Sequence, residues 1–163
     1  MTLGIMGYGK IGKPLETFAK GLGFQTLVFN RQTHLNDFLK NSDIISINLP
    51  LKEETQKIIS EKALTITKAK YIVNTSRGGL VDEKALLNAL NQGTLLGYAT
   101  DVFEKEPIDH VSKELMEHPQ VIGTPHLAAF DPHTAYQMTE RGLENIFYAL
   151  TEQTDKVRSF VKF

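Results

Sequence analysis

The chain of 163 residues has no cysteine and no tryptophan, and neither basic nor acidic side chains are in clear excess. The lack of cysteine excludes disulfide bonds and metal sites built on thiolates. With 18 basic and 19 acidic residues and no long run of either sign, the clustered positive charge of a nucleic-acid-binding surface is missing. No apolar run reaches the ~18 residues of a membrane span, and no signal peptide opens the chain. We therefore expect a cytoplasmic protein with neither a nucleic-acid nor a membrane partner.

Short apolar runs that end near glycine or proline alternate with helical patterns along the whole chain. Six of these runs are predicted strands, and they begin near Leu3, Thr26, Ile44, Tyr71, Leu95 and Val121. Because the runs are continuous, the strands are expected to be buried on both faces, as in a parallel sheet covered by helices. The predicted fold is α/β, a doubly wound parallel sheet (Rossmann fold) in a single domain. This domain is expected to span residues 1–150, followed by a polar stretch at 151–163.

Residues 7–12 form the pattern G-x-G-x-x-G between the first predicted strand and the first predicted helix. Alone the pattern is weak, but this position is where a dinucleotide-binding loop lies. Gly7 would permit the tight turn, Gly9 would let the backbone approach a pyrophosphate, and Gly12 would let the helix pack close to the strand. The alternative is a glycine turn that merely joins strand to helix.

Asn30 and Arg31 follow the second predicted strand, where enzymes that use NAD usually have an acidic residue for the ribose hydroxyls. Asn30 is neutral and does not repel a 2′-phosphate, and the Arg31 guanidinium could bind one. We therefore expect NADP(H) to be preferred to NAD(H). The alternative is that Arg31 is a solvated loop residue and that Asn30 still serves NAD.

Reactive side chains also lie just past the later predicted strands, where ligands bind in open α/β sheets. Arg77 could bind a carboxylate and polarise a neighbouring carbonyl. Asp101 and Glu106 supply carboxylates, and His126 supplies an acid/base. Taken singly, each has an ordinary structural reading, such as a surface ion pair or a solvated loop. The histidines show no metal-ligand spacing, so no metal site is expected.

Several ordered motifs together resemble the D-isomer-specific 2-hydroxyacid dehydrogenases, a family that includes phosphoglycerate, hydroxypyruvate/glyoxylate and D-lactate enzymes. Residues 3–12 are similar to the nucleotide-binding opening of the family, and residues 50–55 fit its P-L-x-x-x-T segment. Residues 74–86 fit its N-x-x-R-G-x-x-V-D-E-x-A-L signature. Residues 101–107 and 124–126 resemble its remaining catalytic segments. The resemblance runs over nearly the whole chain.

The resemblance implies roles for individual residues in hydride transfer between a nicotinamide and a 2-hydroxy or 2-keto acid. Arg77 would bind the substrate, His126 would be the acid/base with Glu106 as its carboxylate partner, and Asp101 would hold the nicotinamide side. Other dinucleotide-contact positions implied by the resemblance are Lys10, Ile11, Asn30, Pro50, Thr55, Thr75, Ser76, Arg77, His126, Ala128 and Ala129.

In this family the chain begins in a substrate domain, enters the cofactor domain and returns. Residues 151–163 therefore resemble only the start of that return, and we expect the substrate domain to be missing and the isolated chain to reduce substrate poorly. A homodimer is a further partner that the resemblance allows. Two alternatives stay open: a non-catalytic module of the same fold for dinucleotide sensing or protein interaction, and an unrelated Rossmann oxidoreductase.

Overall fold

The computed structural model describes residues 1–128 and 130–157, and the chain divides into two compact units, Met1–His126 and Leu127–Phe163. The strands are β1 (Thr2–Met6), β2 (Gln25–Phe29), β3 (Ile44–Ile47), β4 (Tyr71–Asn74), β5 (Gly97–Thr100) and β6 (Val121–Gly123). The helices of the first unit are α1 (Gly12–Gly21), α2 (Leu35–Asn41), α3 (Glu61–Ile66), α4 (Glu83–Asn91) and α5 (His110–Glu117). The second unit contains α6 (Pro132–Leu150) and a short 3₁₀ turn at Thr154–Lys156.

The first unit is a six-stranded sheet in the order β2-β1-β3-β4-β5-β6, and every neighbouring pair is parallel. This confirms the predicted α/β fold with a parallel sheet. The chain runs from β1 outward to β2 and then returns to β3 on the other side of β1. In such sheets, the reversal leaves a crevice beyond the carboxyl ends of the two central strands. The crevice here lies beyond β1 and β3.

The core of the first unit consists of the apolar runs that predicted the strands, together with one face of each neighbouring helix. Ile5, Ile45, Ile47 and Ile72 of the strands are each at most 1% exposed. Phe38 of α2 is fully buried, and its ring packs against Phe29 with 5.4 Å between ring centroids. Burial of one such side chain contributes about 1.5–3 kcal/mol relative to its exposure to water. The apolar runs therefore both form the sheet and hold the helices on it.

Side chains that accept hydrogen bonds from the first helical turn fix where several helices begin. Asp82 accepts from Ala85 N–H at the start of α4, and Asp131 accepts from His133 and Thr134 N–H at the start of α6. Caps of this kind contribute about 0.5–2 kcal/mol each.

Two further properties concern only the part of the chain that the structure describes. Within residues 1–128 and 130–157, no helix is both long enough and apolar enough to cross a bilayer. Within the same ranges, no group of three or more histidine, cysteine, aspartate or glutamate side chains is arranged to hold a metal ion.

Candidate active site and cofactor site

The glycine-rich loop follows β1, and its three glycines differ in whether the fold has room for a side chain in their place. Gly7 has φ +97°, and a Cβ there would lie 2.6 Å from the carbonyl oxygen of Asn48. A Cβ on Gly12 would lie 2.1 Å from the carbonyl oxygen of Gly7. Among the described residues, no atom lies within 4 Å of a Cβ built on the exposed Gly9. The fold itself therefore requires glycine at 7 and 12 but not at 9.

Helix α1 begins directly after this loop without a capping side chain. Ile11, its N-cap residue, makes no side-chain hydrogen bond to the first turn among the described residues. By contrast, Ser60 caps α3 and Asp109 caps α5 through their side-chain oxygens. The start of a helix carries free N–H groups and a partial positive charge, which together suit a phosphate. The start of α1 is thus chemically suited to an anionic group placed near Gly9.

A cavity of about 420 Å³ opens beside the glycine loop at the carboxyl ends of β1 and β2. Its lining combines loop, strand-end and helix-end residues: Gly7, Tyr8, Phe29, Asn30, Arg31, Thr33, Leu49, Pro50, Lys52, Glu54, Thr55 and Ile58. Apolar side chains in this lining suit a flat ring, and Arg31 and Lys52 supply positive charge. The cavity lies where the sequence predicted the adenosine part of a dinucleotide.

The side chain of Asn30 forms hydrogen bonds that stabilise the turn after β2. The Asn30 side-chain oxygen accepts hydrogen bonds from the Gln32 N–H at 2.8 Å and from the Thr33 hydroxyl at 3.3 Å. The Thr33 hydroxyl also donates to the carbonyl oxygen of Val28 at 3.2 Å. These bonds fix the turn with Arg31 exposed at the cavity.

A second cavity of about 620 Å³ shares Leu49 and Pro50 with the first and reaches Ser76 and Arg77 at the end of β4. The two cavities therefore adjoin, and together they run from the turn after β2 to the turn after β4. A third cavity of about 370 Å³, between α3 and α4, is lined by Lys70 and Thr94. These residues precede β4 and β5, so this cavity lies at the opposite, amino-terminal edge of the sheet.

Arg77 is exposed, and the side chain of the buried Asn74 forms hydrogen bonds with the backbone around it. Asn74 Nδ2 donates to the carbonyl oxygen of Arg77 at 3.0 Å, and Asn74 Oδ1 accepts from the Ser76 N–H at 3.1 Å. The Arg77 guanidinium donates to the carbonyl oxygen of Ser76 at 2.7 Å. The end of β4 is thus a rigid support for one cationic side chain at the second cavity.

His126 and Glu106 are in direct contact, although twenty positions separate them in the chain. His126 Nδ1 lies 2.9 Å from Glu106 Oε2, and Glu106 Oε1 accepts the Phe103 N–H at 3.1 Å. His126 has φ +57°, a left-handed conformation that is uncommon for a residue with a side chain. The two side chains are 52% and 41% exposed, so the imidazole can be reached from solvent.

The charge state of Glu106 follows from these contacts. The hydrogen bond with His126 is the largest cause that holds the pKa of Glu106 below its ordinary value, with further contributions from Phe103 N–H and the positive charge of Arg77. Burial, the second-largest cause, acts in the opposite direction and raises the pKa. An ionised carboxylate can only accept hydrogen bonds, so Nδ1 of His126 must carry the proton between them. This leaves Nε2 as the ring nitrogen for a ligand.

Asp101, at the end of β5, is 3% exposed and belongs to a buried hydrogen-bond arrangement. One of its carboxylate oxygens accepts a short hydrogen bond from the Thr124 hydroxyl. The Asp101 N–H donates to the carbonyl oxygen of Asn74 at 3.1 Å, and Thr124 N–H donates to that of Thr100 at 2.9 Å. Asp101 therefore joins the ends of β4, β5 and β6.

The remaining predicted site residues divide into three groups. Lys10, Ile11 and Thr75 are exposed and, within the described part of the chain, line neither of the two adjoining cavities. Thr55 lines the first cavity, but its hydroxyl donates to the carbonyl oxygen of Pro50 at 2.8 Å and so holds the loop. Ala128 belongs to the second unit, and Ala129 lies outside the described residues.

Sequence reasoning missed other residues that shape this region. Tyr8 and Lys52 line the first cavity, and Glu83 forms hydrogen bonds with the loop that carries Glu106. The x positions of a glycine motif carry no signal of their own, and an acidic residue after a helix cap is ordinary. Tyr8 and Lys52 fall at variable positions of their motifs, whereas Glu83 is the fixed glutamate of the signature at residues 74–86 but received no predicted role.

The chain is similar to known proteins of one family. Residues 1–128 match the family model described as D-isomer specific 2-hydroxyacid dehydrogenase, NAD binding domain. The chain is 38% identical over 160 residues to glyoxylate reductase 1 of Saccharomyces cerevisiae, covering 88% of this chain and 45% of that protein. It is 39% identical over 165 residues to glyoxylate/hydroxypyruvate reductase B of Serratia proteamaculans, covering 92% of this chain and 50% of that protein.

Solved structures show the same likeness. The D-lactate dehydrogenase of Lactobacillus jensenii with NAD⁺ matches with a TM-score of 0.88 and 27% identity, covering 99% of this chain and 56% of that chain. A glyoxylate reductase from Paecilomyes thermophila matches with a TM-score of 0.80 and 33% identity, covering 91% of this chain and 48% of that chain. The chain spans about half the length of the curated relatives it matches. It belongs to the D-isomer specific 2-hydroxyacid dehydrogenase family and carries the NAD-binding domain of that family.

Proposed function

We propose that this chain is the cofactor-binding and acid–base half of an NAD(P)-dependent 2-keto acid reductase, of the glyoxylate/hydroxypyruvate or phosphoglycerate type. The observation that carries the proposal is the His126–Glu106 contact of 2.9 Å in the same unit as Arg77 and the glycine loop. A module that only senses a dinucleotide needs neither a charged acid–base pair nor an arginine at the strand ends. The retained set of side chains therefore favours the catalytic alternative.

The chemistry of these side chains fits reduction of a carbonyl beside a carboxylate. The Arg77 guanidinium can bind the substrate carboxylate in a bidentate way and stabilise negative charge that develops on the neighbouring oxygen. His126, protonated at both ring nitrogens, can donate a proton from Nε2 to that oxygen. The ionised Glu106 keeps the imidazole oriented through Nδ1 and stabilises its positive charge. In the reverse direction, neutral His126 accepts the proton.

A bound reduced nicotinamide would supply the hydride for this reaction. The residues that would hold the dinucleotide are those of the glycine loop and the first cavity. Gly9 leaves open space where a pyrophosphate needs it, and the uncapped start of α1 provides N–H groups. The second cavity would then receive the nicotinamide end beside Ser76 and Arg77.

We further propose that NADPH is preferred to NADH, although the matched family model and the Lactobacillus jensenii structure are both named with NAD. Asn30 offers no negative charge at the turn after β2, and Arg31 is exposed at the cavity beside it. Glu54 also lines this cavity, but its carboxylate pairs with Lys52 at 3.6 Å. The local charge therefore favours a 2′-phosphate on the ribose.

Because the relatives are about twice as long, we propose that a substrate domain outside this chain completes the site. A second domain would position the substrate and exclude water from the hydride transfer. The chain alone is therefore expected to bind the dinucleotide and to reduce glyoxylate or hydroxypyruvate slowly.

The test combines binding and turnover in the purified chain. NADPH fluorescence measures binding, and the loss of NADPH absorbance with glyoxylate, at excess chain, measures reduction. We expect His126→Asn to lower the rate by at least about 100-fold, with the Kd for NADPH unchanged within about twofold. Equal rates in the two proteins would refute the acid–base role. Failure to bind either dinucleotide would refute the whole proposal. Binding without any reduction would favour the sensing module only if the chain joined to a substrate domain also failed to reduce glyoxylate.

The cofactor preference has its own test, because we attribute it to the charges at two positions, 30 and 31. Asn30→Asp introduces the carboxylate that repels a 2′-phosphate, so we expect NADPH binding to weaken and the preference to shift toward NADH. Arg31→Ala removes the proposed phosphate partner and should weaken NADPH binding while leaving NADH binding unchanged. Tighter binding of NADH than of NADPH by the unmodified chain would remove the role given to Arg31.

A further inference from the structure

Glu83, the first residue of α4, is a carboxylate only 3% exposed to solvent. Its Oε1 accepts the Glu104 N–H at 2.7 Å, and its Oε2 accepts the Ser112 hydroxyl at 2.6 Å. Burial is the largest cause that raises the pKa of Glu83, and these two hydrogen bonds partly oppose it. Burying a carboxylate is costly, and an apolar side chain would serve helix packing better. The reason for a buried carboxylate at this position must therefore be sought in its two hydrogen-bond partners.

The first partner belongs to a peptide unit that is enclosed from two sides. A Cβ on Gly78 would lie 1.9 Å from the carbonyl carbon and oxygen of Phe103 and 2.4 Å from Glu104 N. The backbone of Gly78 thus packs directly on one side of the Phe103–Glu104 peptide, while Glu83 holds its N–H. The Glu104 side chain adds an ion pair with Lys57 at 3.0 Å, which is partly exposed and so contributes little.

This peptide lies between the proposed substrate-binding residue and the proposed acid–base pair. On one side, Gly78 directly follows Arg77 in the chain. On the other side, Phe103 N–H donates to Glu106 Oε1, and Glu106 Oε2 contacts His126. The Phe103 N–H belongs to the preceding Val102–Phe103 peptide, which shares the Phe103 Cα with the Phe103–Glu104 peptide. Holding the Phe103–Glu104 peptide therefore restricts the Phe103 N–H, and with it the Glu106 carboxylate, through the backbone angles of Phe103.

We propose that Glu83 is a positioning residue for the acid–base pair, which fixes the Glu106 carboxylate against His126 by holding the Glu104 N–H. The catalytic meaning of this role rests on the proposed function. Among the described residues, Glu83 has no hydrogen bond with His126 and lines neither of the two adjoining cavities, so it would act through the loop. The competing explanation is structural: Glu83 joins the starts of α4 and α5 through Ser112.

Three variants separate the two explanations. Glu83→Gln keeps an oxygen that can accept the Glu104 N–H and an amide that can bond Ser112. Glu83→Met keeps a similar volume but removes both acceptors. Ser112→Ala removes only the contact with α5 and leaves the contact with Glu104. His126 and Arg77, the charged groups that act on Glu106, are unchanged in every variant.

The readout is the pKa of Glu106, measured by ¹³C NMR titration of its carboxyl carbon and assigned with Glu106→Gln. Thermal melting shows that each variant is folded, and NADPH fluorescence checks the cofactor site. We expect Glu83→Met to raise the pKa of Glu106 toward the ordinary carboxyl value, because the contacts with His126 and Phe103 loosen. Glu83→Gln and Ser112→Ala should retain the lowered pKa, and NADPH affinity should change less than about twofold in all three.

Two results would overturn the inference. One is a folded Glu83→Met protein in which Glu106 titrates as in the unmodified chain. The other is a Ser112→Ala protein whose Glu106 shifts as far as in Glu83→Met. If Glu83→Met does not fold, Glu83→Asp, which keeps the charge but reaches less far, is judged by the same criterion. The titration needs neither cofactor nor turnover, so a failure here is distinct from a failure of the proposed function.

Discussion

Gly9 offers the sharpest test of whether the glycine loop serves a ligand or only the fold. Its φ lies outside the left-handed region, and no described atom lies within 4 Å of an added Cβ. Gly9→Ala should therefore fold without strain. Alanine also reduces the conformational freedom of the unfolded chain, which stabilises by about 0.4–1 kcal/mol. In a protein of this size that raises Tm by about 1–4 °C.

Gly12→Ala should behave in the opposite way. Its Cβ would lie 2.1 Å from the carbonyl oxygen of Gly7 and 3.2 Å from Ile5 Cγ2, so backbone must move. Overpacking of this kind costs about 1–3 kcal/mol, and Tm should fall by about 2–12 °C. Gly21→Ala, at the far end of α1 and also without a described neighbour within 4 Å of its Cβ, is the matched control for Gly9→Ala.

Cofactor binding should show a different effect at Gly9: Gly9→Ala, which is expected to raise Tm, is expected to weaken NADPH binding. A methyl group at Gly9 would occupy the space proposed for the pyrophosphate, with a cost of about 1–3 kcal/mol, or roughly a 5- to 150-fold weaker Kd. Thermal melting and NADPH fluorescence titration on the same samples measure both effects. Gly21→Ala should share the change in Tm but bind NADPH normally. If Gly9→Ala also binds NADPH normally, the backbone of Gly9 does not approach the pyrophosphate.

Three further predictions concern stability. Glu16 pairs with Lys20 and accepts hydrogen bonds from Tyr8 and Thr26, which lowers its pKa from 4.5 to about 2, Lys20 being the largest cause. The contribution of Glu16 to the free energy of unfolding is present above pH 4.5 and is lost as the pH falls toward 2. Glu16→Gln should therefore lose less stability than the unmodified chain over this pH range, as measured by urea titrations. An equal loss in the two proteins would contradict this. Ser60→Ala removes the side-chain cap of α3 and should lower the free energy of unfolding by about 0.5–2 kcal/mol. An unchanged urea midpoint would show that the cap does not stabilise the protein. Asn74→Ala removes the acceptor of the Ser76 N–H and one of the two donors to the Arg77 carbonyl oxygen, which still accepts the Leu80 N–H at 3.3 Å. The free energy of unfolding should fall by about 1–3 kcal/mol, which an unchanged Tm would refute.

The sequence was sufficient for the fold because the central strands are largely buried, although the expectation of burial on both faces fails at the edge strands: β2 has no fully buried residue, and Ile122 of β6 is 71% exposed. Continuous apolar runs are typical of central parallel strands, and the β1, β3 and β4 runs are indeed at the centre of the sheet. The ends of the elements were less predictable. The run that begins at Leu95 becomes a strand only at Gly97, because Leu96 N–H and Gly97 N–H both donate to the carbonyl oxygen of Lys70.

The candidate site was predictable where its chemistry follows the strands directly in sequence. Arg77, Asp101 and His126 each lie within three residues of a strand end, and topology brings such positions to one edge of the sheet. Glu83 lies in the signature at residues 74–86, but its hydrogen-bond partners lie elsewhere in the chain and could not be predicted from it. Glu83 meets Glu104 across 21 positions and Ser112 across 29, and a pattern read along the chain cannot report such pairs.

Three carboxylates hold the proposed acid–base group in different ways. Glu106 binds the imidazole itself, and Glu83 holds the loop that carries Glu106. Asp101 binds the Thr124 hydroxyl, and the Thr124 carbonyl oxygen accepts the His126 N–H at 3.0 Å. This last pair matters because His126 has φ +57°, which costs energy unless its surroundings enforce it. The contact of the buried Asp101 with the exposed Thr124 anchors the backbone on which this conformation depends. The ring and the backbone of His126 are therefore held by separate carboxylates.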